Sequence, residues 1–416
     1  MTMTTQMEEE NDSHYLKSVT SLGDTRNIVT SQDIHSKNGI KLAGRGSRID
    51  SSFYDRLVRH KLMLSLDQCM TVENAVTEDE LLAGTKKLFE EEPRFFIVTQ
   101  LVDIRKIWSA ISRIRLNDAL AFKLTVAREM RPEILEHSLR ILLISLCIGS
   151  KCRLSEADLA NLAAAAIFHD LGELHIDPEI LKKADLSTEE RRHIYAHPMT
   201  AYLILKEFPE YHPVISTTVL QHHEHLDGSG YPAGISGQKI APLAQILGVA
   251  EVTGGIADPH RLEIVLKLNM HKLNTEVIGH ALELLKPDQE TSGSDQSIGE
   301  IGDRLAQLAR AFEAWNEICG TRDAPIFKLA NQRIVKLRHA LFDAGFNPLE
   351  LGWLTSGIEN DPGEIQDVQT LVNESFWQIR NLERELNRLW PDFEKAADAD
   401  KQILKDWIGR HTGSLH

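Results

Sequence analysis

Two adjacent pairs of ligand-type residues stand out in this chain of 416 residues, His169–Asp170 and His222–His223. His137, His197 and Glu251 lie in the same stretch, each near the end or on the apolar face of a helical run. One such residue alone would mean little, because a single helical histidine is usually hydrogen-bonded within a core. Several together are hard to satisfy in that way, since a buried acid is costly unless it is paired or bound to a metal. Mixed imidazole and carboxylate donors suit iron, manganese or zinc, whereas calcium and magnesium prefer shells of oxygen. The chemistry indicated is therefore that of a divalent transition-metal centre.

The elements that must carry these residues read as helices. Pro132 suits a first helical turn, and Glu133 and His137, four residues apart, share a face. "SEAD" at 155–158 forms an acidic capping box before an alanine-rich helix that runs to His169 and Asp170. A second box, Ser187 to Glu190, opens a helix expected to break at His197–Pro198. "HPVISTTVLQHHEH" ends another helical run at His222 and His223, and "APLAQILGVAEVTGG" is an apolar helix whose single acid is Glu251. Strand-like alternation is scarce.

Outside this block, residues 1–50 are polar and aperiodic and are expected to form a disordered arm. Residues 51–130 read as a helical N-terminal region, where "RFFIVTQLV" is either a short strand or the start of a helix. The metal-ligand block spans 131–286. A Ser/Gly-rich linker is expected over 287–300, and amphipathic helices over 301–416, with Leu371, Phe376, Ile379, Leu382, Leu386 and Leu389 at helical spacing.

With 42% hydrophobic and 26% charged residues the composition is globular, and a net charge of −15 argues against a DNA or RNA polymer or an anionic membrane as partner. Four scattered cysteines form no CxxC pair, which points to reduced thiols. No apolar run approaches the roughly 18 residues of a membrane span. "MTMTTQMEEENDSHY" has no secretory pattern, so a cytoplasmic protein is expected.

"HD" at 169–170, "HP" at 197–198 and "HHEHLDGSGYP" at 222–232 resemble the HD-GYP family of the HD phosphohydrolase superfamily, whose HHExxDGxGYP signature is matched at every specified position. The resemblance covers residues 130–285. It implies an all-α, HD-type helical bundle holding a di- or trinuclear metal site, flanked by helical regions. It also implies hydrolysis of cyclic di-GMP to the linear dinucleotide or GMP. His137, His169, Asp170, His197, His222 and His223 match the family's metal-ligand positions. Glu133 matches the extra carboxylate of three-metal members, and Glu251 stands where the last ligand is an aspartate. Asp227, Gly228, Gly230, Tyr231 and Pro232 match the signature loop at the substrate pocket. Two or three divalent ions are implied, iron or manganese with zinc as the further option. Two ions held about 3.5–4 Å apart can share a hydroxide in line with phosphorus and neutralise charge on the leaving oxygen. No Ser-His-Asp pattern and no GxxxxGK[ST] loop offers another route.

Three positions depart from the family. Its HDxGK run is "HDLGE", so Glu173 replaces a lysine that faces the substrate phosphate. Asp170 and Glu173 are thus the candidate catalytic carboxylates. Its VADxYDA segment is "VAEVTGG", which puts glutamate at 251 and Gly254 in place of the second aspartate. Ala201, for the glycine after HPxx, is a minor change. The leading expectation is a metal-dependent phosphodiesterase for cyclic di-GMP. The alternatives are a catalytically weak nucleotide sensor or docking domain, and a hydrolase of another cyclic dinucleotide. The helical flanks are candidate surfaces for a homo-oligomer or a protein partner.

Overall fold

The computed structural model describes residues 3–95, 98–183, 186–256, 259–285, 298–343, 346, 362–389 and 398–412. These fall into two compact units, one within 1–254 together with 283–285, the other within 255–282 and 286–416.

The first unit is helical apart from two small ribbons. Its helices are α1 (Met3–Thr25), α2 (Tyr54–Val58), α3 (Glu78–Glu91), α4 (Val98–Leu101), α5 (Ile104–Ile111), α6 (Asp118–Met130), α7 (Pro132–Lys151), α8 (Glu156–Phe168), α9 (Pro178–Leu181), α10 (Thr188–Lys206), α11 (Pro213–Gln221) and α12 (Pro242–Gly254). Strand β1 (Ile28–Thr30) pairs antiparallel with β4 (Met70–Val72), and β2 (Ile34–His35) with β3 (Lys41–Ala43). Helix α7 is the central rod, packed by α3, α5, α6, α8 and α12. Contact on many sides explains why "LRILLISLCIGS" carries no polar stripe. The expected caps are present. Ser155 accepts from Asp158 N at 3.1 Å to start α8, and Ser187 and Glu190 complete a reciprocal capping box at the start of α10.

A disordered arm is expected over residues 1–50, yet the described residues from Met3 onward are ordered into a helix and short strands. Helix α1 buries Tyr15, Leu16, Val19 and Leu22, a helical stripe hidden in a polar sequence, and Ile28, Ile34, Leu42 and Ile49 are buried as well. A polar cluster anchors this segment. Lys123 of α6 is 2% exposed and lies 2.8 Å from Asp67, and its ammonium sits 3.6 Å from the Tyr15 ring centre. The Tyr15 hydroxyl donates to Asp67, and the Tyr15 ring stacks on His175 at 4.7 Å. His175 Nε2 is 3.3 Å from Lys123 Nζ. One buried cation thus ties α1, α6 and the turn after α8 together.

The boundary expected at 286 falls earlier. Residues 255–282 group with the C-terminal helices, whereas 1–130 belong with the ligand block. The 287–300 linker lies outside the described residues up to 297, and Ile298 starts a helix that runs to Gly320. Of "RFFIVTQLV", Pro93–Phe95 forms a 3₁₀ turn and Val98–Leu101 a helix, with no strand among the described residues.

The second unit contains helices Pro259–Leu268, Ile298–Gly320, Pro325–Asp343, Pro362–Leu389 and Asp398–Thr412. Leu371, Phe376, Ile379, Leu382 and Leu386 enter its core beside Phe312, Trp315 and Trp407. Arg333 and Glu385 form a largely buried ion pair within it, at 2.6 Å. No helix among the described residues is long and apolar enough to cross a membrane.

Candidate metal centre and substrate loop

Three of the histidines are held by one device. His169 and His222 follow directly on α8 and α11, where the last carbonyls of a helix lack intrahelical donors. His169 Nδ1 lies 2.8 Å from Ala166 O and His222 Nδ1 2.6 Å from Val219 O, each three residues back. His197 meets the same need within α10. Pro198 has no N–H to give the carbonyl of Ile194, and His197 Nδ1 takes it at 2.7 Å. Helix α10 accordingly runs through Pro198, correcting the break expected there. With Nδ1 donating backwards, each Nε2 is directed forward as a potential ligand atom.

Those atoms converge on Asp170. His137, His169, Asp170 and Glu251 form one group, and Asp170, His197, His222 and His223 a second, each with ligand atoms within 4.8 Å of one another. Asp170 divides its oxygens between them. Oδ2 lies 3.1 Å from His169 Nε2 and 3.5 Å from His137 Nε2, while Oδ1 lies 3.3 Å from His197 Nε2 and 3.8 Å from His222 Nε2. Glu251 completes the first group, 3.1 Å from His137 Nε2 and 3.2 Å from His169 Nε2. Close approach of backbones makes this possible. A Cβ on Gly172 would stand 2.1 Å from His197 O, so only glycine lets the Asp170 turn pack against α10.

Electrostatics agree with a cation site. Burial alone would push Asp170 and Glu251 up, but the facing imidazoles hold both well below the usual carboxylate range. Burial would lower His169, His137 and His197, yet Asp170 and Glu251 raise the first two, and Asp170 with Glu173 raises His197. Burial and the neighbouring imidazoles push His222 down to about 3 and His223 well below its ordinary value. The same cluster leaves His169 Nε2 and Asp170 Oδ1 buried without a well-formed hydrogen bond. Nitrogen and oxygen donors, inward lone pairs and orphaned buried atoms fit divalent metal binding.

Glu133 is not part of this arrangement. Its side chain is 63% exposed and bonded to Arg131 at 2.6 Å, outside both groups. Glu173 does face the cluster. Burial, with the charges of Asp170 and Glu251 adding, pushes its carboxyl up to about 7, and it has no hydrogen-bond partner among the described residues.

The signature loop is closed by a residue that sequence reasoning passed over. Glu224, 5% exposed, accepts from Ala233 N at 2.7 Å and Gly234 N at 3.1 Å. Its place between His223 and the glycines was the available signal. Asp227 accepts from Ser229 N at 2.9 Å, which makes it a turn-shaping residue. Gly228 takes φ +81°, and a Cβ on Gly230 would stand 2.4 Å from His223 O. The Tyr231–Pro232 peptide is cis. Tyr231 N donates to His223 O at 3.0 Å, and its ring stacks on His223 at 4.6 Å. The loop therefore leans on His223.

Residues 124–253 match the HD domain family. A 3'3'-cGAMP-specific phosphodiesterase 3 of Vibrio cholerae is 27% identical, over 56% of this chain and 55% of the relative. The cyclic di-GMP phosphodiesterase response regulator RpfG of Xanthomonas campestris is 35% identical, over 25% of this chain and 28% of its own length. The chain thus spans about half or less of these curated relatives. Among solved structures, Bd1817, an HDG"Y"P protein from Bdellovibrio bacteriovorus, aligns with TM-score 0.36 at 15% identity, covering 62% of this chain and 95% of that one. The helical bundle and its His/Asp cluster define an HD domain. HHExxDGxGYP stands intact at 222–232, inside the stretch that matches the HD domain family.

Proposed function

We propose that this protein is a metal-dependent phosphodiesterase acting on cyclic di-GMP or a related 3'3'-cyclic dinucleotide, yielding the linear dinucleotide or GMP. The observation that carries the reading is Asp170, one carboxylate with an oxygen for each of two ligand groups. On this reading His137, His169 and Glu251 hold one ion, and His197, His222 and His223 the other. Iron or manganese, or else zinc, fills both places. The relatives, named as cyclic di-GMP and 3'3'-cGAMP phosphodiesterases, support this substrate class.

Bound divalent ions supply Lewis acidity at phosphorus and lower the pKa of attacking water. The chain's own residues do the rest. The Nδ1 hydrogen bonds fix three imidazole planes, so little reorganisation accompanies ion binding. Glu224 and Asp227 shape the loop over the ligands, where Gly228, Gly230, Tyr231 and Pro232 form the substrate-side wall. The Tyr231 hydroxyl has no hydrogen-bond partner among the described residues and is directed to a phosphate oxygen. Glu173, facing the ligand groups, is the carboxyl placed to give a proton to the departing 3′-oxygen. A protonated carboxyl also removes the repulsion that a carboxylate in the family's lysine position would exert. The protein works in the cytoplasm, and the helical flanks are its surface for a second copy or a protein partner.

A second reading, a catalytically weak nucleotide sensor, draws on the same Glu173. The test is turnover of cyclic di-GMP and 3'3'-cGAMP by manganese-, iron- and zinc-loaded protein, with products separated by chromatography. Hydrolysis that falls in Glu173→Lys supports the proton-holding role. Tight nucleotide binding without hydrolysis, with a rate gained in Glu173→Lys, favours the sensor. Absence of both binding and turnover despite stoichiometric metal overturns the proposal.

A further inference from the structure

Tyr231 has rings on both faces. His223 stacks on it at 4.6 Å and 25°, and Tyr195 of α10 at 4.3 Å and 24°. Two rings lying so nearly parallel and so close to one centroid would overlap if they shared a face. They therefore occupy opposite faces, giving a column in the order His223, Tyr231, Tyr195. A substrate base cannot stack on Tyr231, which is left with its edge and hydroxyl. The outer face of Tyr195 is the end of the column, and Tyr195 is half-buried. Beyond it along α10, at four-residue steps, Met199 is 40% exposed and Leu203 53% exposed. An apolar edge thus runs outward from the ligand cluster, beginning with an aromatic plane.

We propose that Tyr195 is a substrate-binding residue whose outer face stacks a base of the substrate, a role that rests on the cyclic-dinucleotide reading of the adjoining centre. The ribose phosphate then lies toward the cluster, and the column fixes the distance between base plane and ligand histidines. Stacking on an aromatic ring is tolerant of base identity and indifferent to charge, which suits an acidic chain binding an anionic dinucleotide. Because this contact is the same in ground and transition states, its loss raises KM and leaves kcat in place.

The experiment uses the metal-loaded full chain and a cyclic dinucleotide in which one base is 2-aminopurine, whose fluorescence is quenched on stacking. Turnover of the unlabelled dinucleotide is followed separately. Tyr195→Leu is expected to abolish the quenching and raise KM roughly tenfold with kcat within about twofold. Tyr195→Phe keeps both, and Tyr195→Trp keeps or deepens the quenching, which guards against a leucine variant that misfolds. Unchanged KM and quenching in the leucine variant, or loss of quenching in the tryptophan variant, overturns the proposal while turnover still reports on the centre. Quenching that depends on Tyr195 without turnover upholds the stacking role and sinks the hydrolase. A wild-type chain that neither quenches nor hydrolyses overturns both.

Discussion

His197 and His222 meet with their Nε2 atoms 3.3 Å apart while each Nδ1 is held by a carbonyl of its own helix. Two lone pairs cannot face each other at that distance without a cation or a proton between them. Asp170 stands beside both, and its other oxygen faces His169.

Asp170 shared between two groups makes metal stoichiometry diagnostic. Wild-type protein is expected to hold about two ions per chain, Asp170→Ala close to none, and Glu251→Ala or His223→Ala about one. Activity should fall more than about 100-fold in each variant. Elemental analysis of dialysed protein, paired with turnover, checks this; full metal content in Asp170→Ala would refute the shared-carboxylate reading.

Glu173 makes stability depend on pH. Its folded pKa of about 7 is raised above the ordinary carboxyl value, so between the two the unfolded chain binds fewer protons. Its contribution is neutral at low pH, and stability falls as pH rises through that window. Metal-free Glu173→Gln should therefore be more stable than wild type at pH 8, by about 2–3 kcal/mol at most, and equal to it at pH 4. Denaturant midpoints at both pH values test the sign. Bound cations should shrink the difference.

Glu173→Gln also removes the proton. A fall in kcat of roughly 100-fold with metal content intact is expected, read from the rate at saturating dinucleotide.

Lys123 holds the N-terminal helix to the turn that follows Asp170. Replacing it with Met leaves Asp67 buried without its cation and is expected to cost about 3–5 kcal/mol. The double variant Lys123→Met/Asp67→Leu should recover much of that loss. Chemical denaturation of the four proteins forms the cycle, and an undiminished loss in the double variant would show that the pair does not act as a unit.

Much of the centre was legible because its histidines sit at helix ends or before a proline, where sequence punctuation is strong. The capping boxes and the ends near His169 and His222 follow from local rules. Glu133 lies outside the two groups because Arg131, two residues before it, holds its carboxylate, a contact that spacing along α7 does not reveal. The first 50 residues misled because their apolar residues are few; Tyr15, Leu16, Val19 and Leu22 mark one face, yet only the distant partners Asp67, Lys123 and His175 show that the face is buried. The Tyr195 column was out of reach for the same reason, since it joins α10 to a loop 36 residues away.

Gly254 stands where the family carries a second aspartate, and a Cβ there would meet Ile141 Cδ1 at 2.3 Å. Ile141 is itself fully buried on the central helix. The two positions are therefore coupled: a side chain at 254 requires the tip of Ile141 to move, and a shortened Ile141 opens a void while 254 remains glycine. Neither single step is free. An acid restored at 254 by directed evolution of this protein should therefore come with a shifted or substituted residue 141.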